Sequence, residues 1–225
     1  MMLSFVLVEP ARPSNVGAAA RALKTMGFTK LILVNSSLHQ HKEAQWVAHG
    51  ARDILENCEC VARLEDLRHN HDLLIATTAR ERNSARHYLS PQQLNGQLQS
   101  QSGRCALVFG CEASGLSNEQ LTLCDLYSYV PLAQPYPSLN LGQAVMIYSY
   151  ALSNLSAQIG LQVEPPRSES LQVLKQRVAR AMAPHQTDKT GKLDEWLQER
   201  LSGLSDRDIR MAHQLLGLLE NTHKN

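Results

Sequence analysis

Leu3-Ser4-Phe5-Val6-Leu7-Val8, then Asn15-Val16-Gly17-Ala18-Ala19-Ala20-Arg21-Ala22-Leu23-Lys24-Thr25-Met26, then Leu31-Ile32-Leu33-Val34 open the chain. The first and third segments are compact apolar runs of strand length. The second is alanine-rich, has helical spacing and meets Gly27 as a C-terminal stop. Strand, helix, strand in that order is a βαβ unit, and such a unit makes its strands parallel. Working outward, residues 42–55 read as a helix broken near Gly50, 60–62 as a short strand, 64–68 as a short helix and 73–77 as a buried strand. Ser90-Pro91 places a cap residue and a first-turn proline before the next helix. A strand follows over 105–109, Ser117-Asn118-Glu119-Gln120 has the spacing of a capping box, and a last strand covers 127–131 before a long helix from about 140 to 158. The alternation predicts an α/β domain with a mostly parallel sheet. Thr77-Thr78-Ala79 then ends a strand at the carboxyl edge, where open α/β folds place their ligands.

With 225 residues the chain has room for a full core and one appendage. A hydrophobic content of 43% with 19% charged residues describes a soluble globular protein. No apolar run reaches membrane-spanning length and no signal-peptide pattern opens the chain, so a cytoplasmic protein without membrane association is expected. Five cysteines, an odd number with no CxxC pair, point to reduced thiols. Cys58-x-Cys60, His39-x-His41 and His69-x-His71 read as alternate residues of strands or loops, and no metal is expected.

The domain should span residues 1–160. Residues 161–170, with Pro165-Pro166, read as a linker. Over 171–225 the spacing of Leu171, Leu174, Val178 and Met182, of Leu193, Trp196, Leu197 and Leu201, and of Ile209, Leu215, Leu216 and Leu219 predicts a small helical extension. Its apolar faces must be covered by the domain, by one another or by a second subunit.

Common nucleotide and hydrolase sites are not supported. The first βα turn holds Asn15-x-Gly17 rather than GxGxxG, and neither GxxxxGK[ST] nor GxSxG occurs. Instead, Tyr136-Pro137-Ser138-Leu139-Asn140-Leu141-Gly142-Gln143-Ala144-Val145 is a tight loop running into a helix. Free backbone N–H groups lie there beside Ser138 and Asn140, which suits a polar ligand or an ordinary helix cap equally. Set beside Ser14–Leu23 and Ala106-Leu107-Val108-Phe109-Gly110-Cys111-Glu112-Ala113-Ser114-Gly115-Leu116, and in this order, it resembles the motifs of the SPOUT methyltransferases. Within them the chain is most similar to SpoU-type RNA 2′-O-ribose methyltransferases of the TrmJ/LasT branch, over roughly the first 155 residues.

The resemblance implies a SPOUT α/β fold whose motif loops form a deep trefoil knot around bent S-adenosylmethionine. Carried onto matching positions, the cofactor pocket is Thr77, Thr78, Ala79, Gly110, Glu112, Leu132, Ser138, Leu139 and Asn140, and the catalytic residues are Arg21, Asn15 and Asn140. It also implies a homodimer with sites near the interface. The implied substrate is tRNA, at position 32 of the anticodon loop, with ribosomal RNA and a catalytically silent RNA-binding protein as the other readings. Cys111 departs from the pattern, which commonly carries arginine there; a guanidinium contact to phosphate or carboxylate is lost with it. Net charge is only +1, so RNA binding must rest on a local basic patch. Arg80, Arg82 and Arg86, with Arg12 and Arg21, are the candidates.

Overall fold

The computed structural model describes residues 1–79, 87–101, 103–134, 138–159, 169–183 and 192–222. The opening segments fold as β1 (Met2–Val8), α1 (Pro13–Thr25) and β2 (Leu31–Val34). Next come α2 (Lys42–Ala48) and α3 (Arg52–Glu56), separated at His49 and Gly50, and β3 (Glu59–Val61). β4 (Leu73–Thr78), β5 (Tyr88–Leu89), α4 (Pro91–Leu98) and β6 (Arg104–Phe109) follow, then α5 (Asn118–Thr122) and β7 (Leu126–Tyr129). The seven strands form one sheet in the order β3-β2-β1-β6-β4-β7-β5, and every pairing is parallel.

Strand alternation divides the core between two faces. Phe5, Leu7, Leu33 and Leu107 pack with Val16 and Leu23 of α1 on one face. Val6, Val8, Ile32, Leu74 and Val108 pack with Leu67 and Leu121 on the other. On the first face α1 lies so close to α2 that a Cβ on Gly17 would strike the Ala44 carbonyl oxygen. Only a residue without a side chain permits that approach.

Two local features differ from the periodicity. β5 has two residues, too few to carry a pattern of their own, and it exists because it pairs with β7. The helix expected from about 140 to 158 is α6 (Leu141–Ala151) and α7 (Ser153–Ile159), divided at Leu152, which is itself fully buried. The tail forms α8 (Glu169–Met182), α9 (Lys192–Ser202) and α10 (Asp206–Thr222). Leu171, Leu174, Leu201 and Ile209 are buried in the same cluster as β1 and α1, so the sheet domain covers part of their apolar faces. Lys175 of α8 pairs at 2.6 Å with Asp125, at the start of β7. Among the described residues no helix is long and apolar enough to cross a membrane.

Candidate active site

A cavity of about 360 Å³ opens at the carboxyl edge of the sheet, above the adjacent strands β6, β4 and β7. Its walls are the loops that leave these strands, together with the start of α6. The size lies within the range of small-molecule and cofactor sites, roughly 300–1,000 Å³. Thr77, Thr78, Ala79, Gly110, Glu112, Leu132, Ser138 and Leu139, taken from three stretches of sequence, all line it. The lining mixes apolar contact surface with backbone polar groups, as a nucleoside-bearing ligand requires.

Glu112 ties two motif loops together. Its Oε2 accepts the Ala11 backbone N–H at 2.7 Å and its Oε1 accepts the Asn15 side-chain N–H at 2.6 Å. Burial alone would raise its carboxyl pKa, but the hydrogen bonds from Ala11 and Asn15 outweigh it, and the pKa lies below the ordinary glutamate value. Glu112 is therefore an ionised acceptor near neutral pH. Asn15, only 5% exposed, is committed to this contact as a donor.

Gly110 has a steric task in its own loop. A Cβ there would collide with the backbone of Gly115 and Leu116, where the chain doubles back through the Cys111–Gly115 bridge. Gly115 has φ +68°, which turns the loop at no cost in Cβ clash. At the floor, the Tyr148 hydroxyl donates to Ser128 Oγ at 2.9 Å and Ser128 Oγ donates to the Leu89 carbonyl at 2.8 Å. Burial raises the Tyr148 pKa, so this phenol stays protonated. Tyr148, Phe109, Cys111, Val130 and Ala144 line the cavity although the motifs did not single them out for it. Tyr148 and Ala144 carry only the signal of an apolar helix face, and a cavity wall and a core share that signal.

Asn140 is used differently. It does not line the cavity; its side chain accepts the Gly142 N–H at 2.8 Å, and Gln143 Oε1 accepts the Asn140 N–H at 3.1 Å, a reciprocal helix cap. Gly142 in turn sits against Ala18 of α1, where a Cβ would come within 2.8 Å of the Ala18 Cβ. Arg21 lies exposed on α1 and Arg12 exposed just before it, both outside the cavity lining. Arg80, Arg82 and Arg86 lie outside the described residues.

Comparison with known proteins agrees with this geometry. The family model described as the SpoU rRNA Methylase family matches residues 2–150, and the model for the C-terminal domain of tRNA/rRNA methyltransferase LasT matches residues 168–222. The chain is 43% identical over 223 residues to the uncharacterized tRNA/rRNA methyltransferase LasT of Escherichia coli K12, covering 98% of each chain. It is 34% identical over 170 residues to the tRNA (cytidine/uridine/adenosine-2′-O-)-methyltransferase TrmJ of Pseudomonas aeruginosa, covering 74% of this chain and 65% of that one. Among solved structures, TrmJ from Z. mobilis ZM4 superposes with a TM-score of 0.68 at 23% identity, covering 98% of this chain and all of that one.

Proposed function

Because the chain belongs to the SpoU rRNA methylase family and is an RNA methyltransferase of it, we propose that it moves a methyl group from S-adenosylmethionine to a ribose 2′-OH of tRNA, in the anticodon loop. The observation that carries this reading is that the second and third motif stretches, after β6 and at the start of α6, meet the end of β4 around one cavity at the carboxyl edge, while Glu112 ties the first motif to them through Asn15. A tRNA 2′-O-methyltransferase at 34% identity supports the choice of RNA. The donor set fits the cofactor: Thr77 to Ala79, Gly110 and Ser138 offer polar backbone at the rim, and Leu132 and Leu139 offer apolar contact. Bound there, S-adenosylmethionine supplies an electrophilic methyl group.

The residues of this chain would position and polarise. Glu112 fixes the loop after β6 against the entry to α1, so the wall that faces the ligand is set before binding. Arg21 is the residue to bring to the ribose. A free arginine is a poor base, since its guanidinium holds its proton far above neutral pH. Its better role is to hold the adjacent phosphate and stabilise the alkoxide as it develops. Within one chain Arg21 stands on the exposed side of α1, outside the cavity. We assign it to the site of a second copy in a homodimer. Met146 and Tyr150 support that assembly: they stand exposed on α6 while Val145 and Tyr148 of the same helix are buried in the core.

The test is transfer of labelled methyl from S-adenosylmethionine to total RNA of cells lacking the protein, with the labelled nucleotide mapped. We expect label on a ribose 2′-oxygen in tRNA, and a loss of about 10²–10³-fold in Arg21→Ala, the cost of removing one charge-stabilising group. Label confined to ribosomal RNA would overturn the substrate class, and no label in either RNA would overturn the activity.

A further inference from the structure

The structure joins three side chains that the spacing of the sequence keeps in separate pairs. His39 lies in a single 3₁₀ turn (Leu38–Gln40) beyond β2, Cys58 immediately before β3, and Cys60 within β3. One potential ligand atom of each lies within 4.8 Å of the others. We propose that His39, Cys58 and Cys60 form a zinc site, with two thiolate sulfurs and one imidazole nitrogen in three tetrahedral positions and solvent in the fourth.

Distance, residue type and topology each support it. Zinc bonds of about 2.3 Å to sulfur and about 2.0–2.1 Å to nitrogen, at a tetrahedral angle, place the two ligand atoms about 3.6 Å apart. Cys60 Sγ and His39 Nδ1 are 3.6 Å apart. A thiol–imidazole hydrogen bond accounts for that one pair. It does not account for Cys58, whose sulfur reaches the same point and also lies within hydrogen-bond reach of the Cys60 thiol. Cys58 and Cys60 alternate along an extended segment, so both side chains fall on one side of it. Cys60 is exposed and leaves an entry path for the ion.

The position also gives the site a task. β3 is three residues long and lies at the edge of the sheet, where among the described residues β2 is its one strand neighbour. A metal shared with the turn beyond β2 would clip this edge strand to its neighbour. The candidate active site stands over β6, β4 and β7, away from that edge, so the ion takes no part in that site. On binding, two S–H bonds break and two S–Zn bonds and one N–Zn bond form. Two protons pass to the buffer, and nothing is oxidised or reduced.

The experiment is a titration of the reduced, metal-free full chain with Co²⁺, read by thiolate-to-cobalt charge-transfer absorption and followed by displacement with Zn²⁺. We expect one ion per chain, displacement by zinc, and a rise in the thermal unfolding midpoint on zinc addition. Cys60→Ser, at an exposed position that leaves the core intact, should abolish the absorption. His39→Ala should weaken binding by about tenfold or more, the scale on which disturbed metal sites respond. Absence of a charge-transfer band, or a band that survives Cys60→Ser in a chain whose circular dichroism is unchanged, would overturn the proposal.

Discussion

At the carboxyl edge of the sheet, Glu112 receives two neutral N–H donors and faces a cavity. At the amino edge, Asp125 is held by charged partners, beside a second cavity that Arg68 and Lys175 also line. Arg68 lies at 2.8 Å, Lys175 at 2.6 Å, and the Leu74 N–H donates to it at 2.8 Å, with the carboxylate 2% exposed. Burial holds the Lys175 pKa below the ordinary lysine value even with Asp125 beside it. One carboxylate is stabilised by dipoles, the other by two cations. The amino edge carries the ion pair that anchors α8; the carboxyl edge carries the polar groups of the candidate site.

The largest effect that could break this contrast is Asp125→Ala. It leaves the Lys175 ammonium buried without its partner and should cost about 3–5 kcal/mol of folding stability. Denaturant unfolding would measure it, while methyl transfer per folded molecule should hold. A loss of transfer in the folded fraction would show that the two edges are coupled.

Glu112→Gln should behave in the opposite sense. The amide keeps the shape but presents an N–H where an acceptor is needed, so stability should fall by only about 1 kcal/mol. Misplacement of the loop after β6 should lower methyl transfer by up to about 10²-fold. Because the folded pKa of Glu112 lies below its ordinary value of 4.5, its contribution is complete above that value and is lost as pH falls through the folded pKa. The stability difference between wild type and Glu112→Gln should therefore shrink below about pH 4.5; a difference independent of pH would contradict an ionised Glu112.

The smallest effect concerns His71, buried at the amino edge, with Nε2 3.2 Å from Ser4 Oγ and Nδ1 3.2 Å from the Leu67 carbonyl oxygen. Burial lowers its pKa below the ordinary 6.5 despite the Leu67 contact. The unfolded chain then binds more protons over that window, so stability should be full above about pH 6.5 and decline as pH falls toward the folded pKa. His71→Gln should flatten the unfolding midpoint between about pH 5 and 7, and an unchanged slope would place the titration elsewhere.

The elements were largely legible because their signals are local. Apolar runs mark β1, β2, β4 and β6, and the caps lie within four residues of what they cap. Ser90 accepts the Gln93 N–H at 3.2 Å and Ser117 accepts the Gln120 N–H at 3.1 Å, as their spacing implies. Two of the three motif stretches meet at one cavity, and the first is joined to them by the Asn15–Glu112 hydrogen bond. Asn140 was ambiguous from the start, since a cap and a ligand contact use the same side chain, and the fold gives it the cap.

By itself the sequence determined the alternation of strands and helices, their parallel arrangement and the caps that end them, because periodicity and capping are energies of neighbouring residues. Only the tertiary structure decided the Asn15–Glu112 bond across 97 positions, the burial of Lys175 on Asp125, the two-residue β5 and the meeting of His39 with Cys58 and Cys60. Each of these is a distance between segments that no local pattern encodes, fixed by which strands become neighbours and how closely the helices pack upon them.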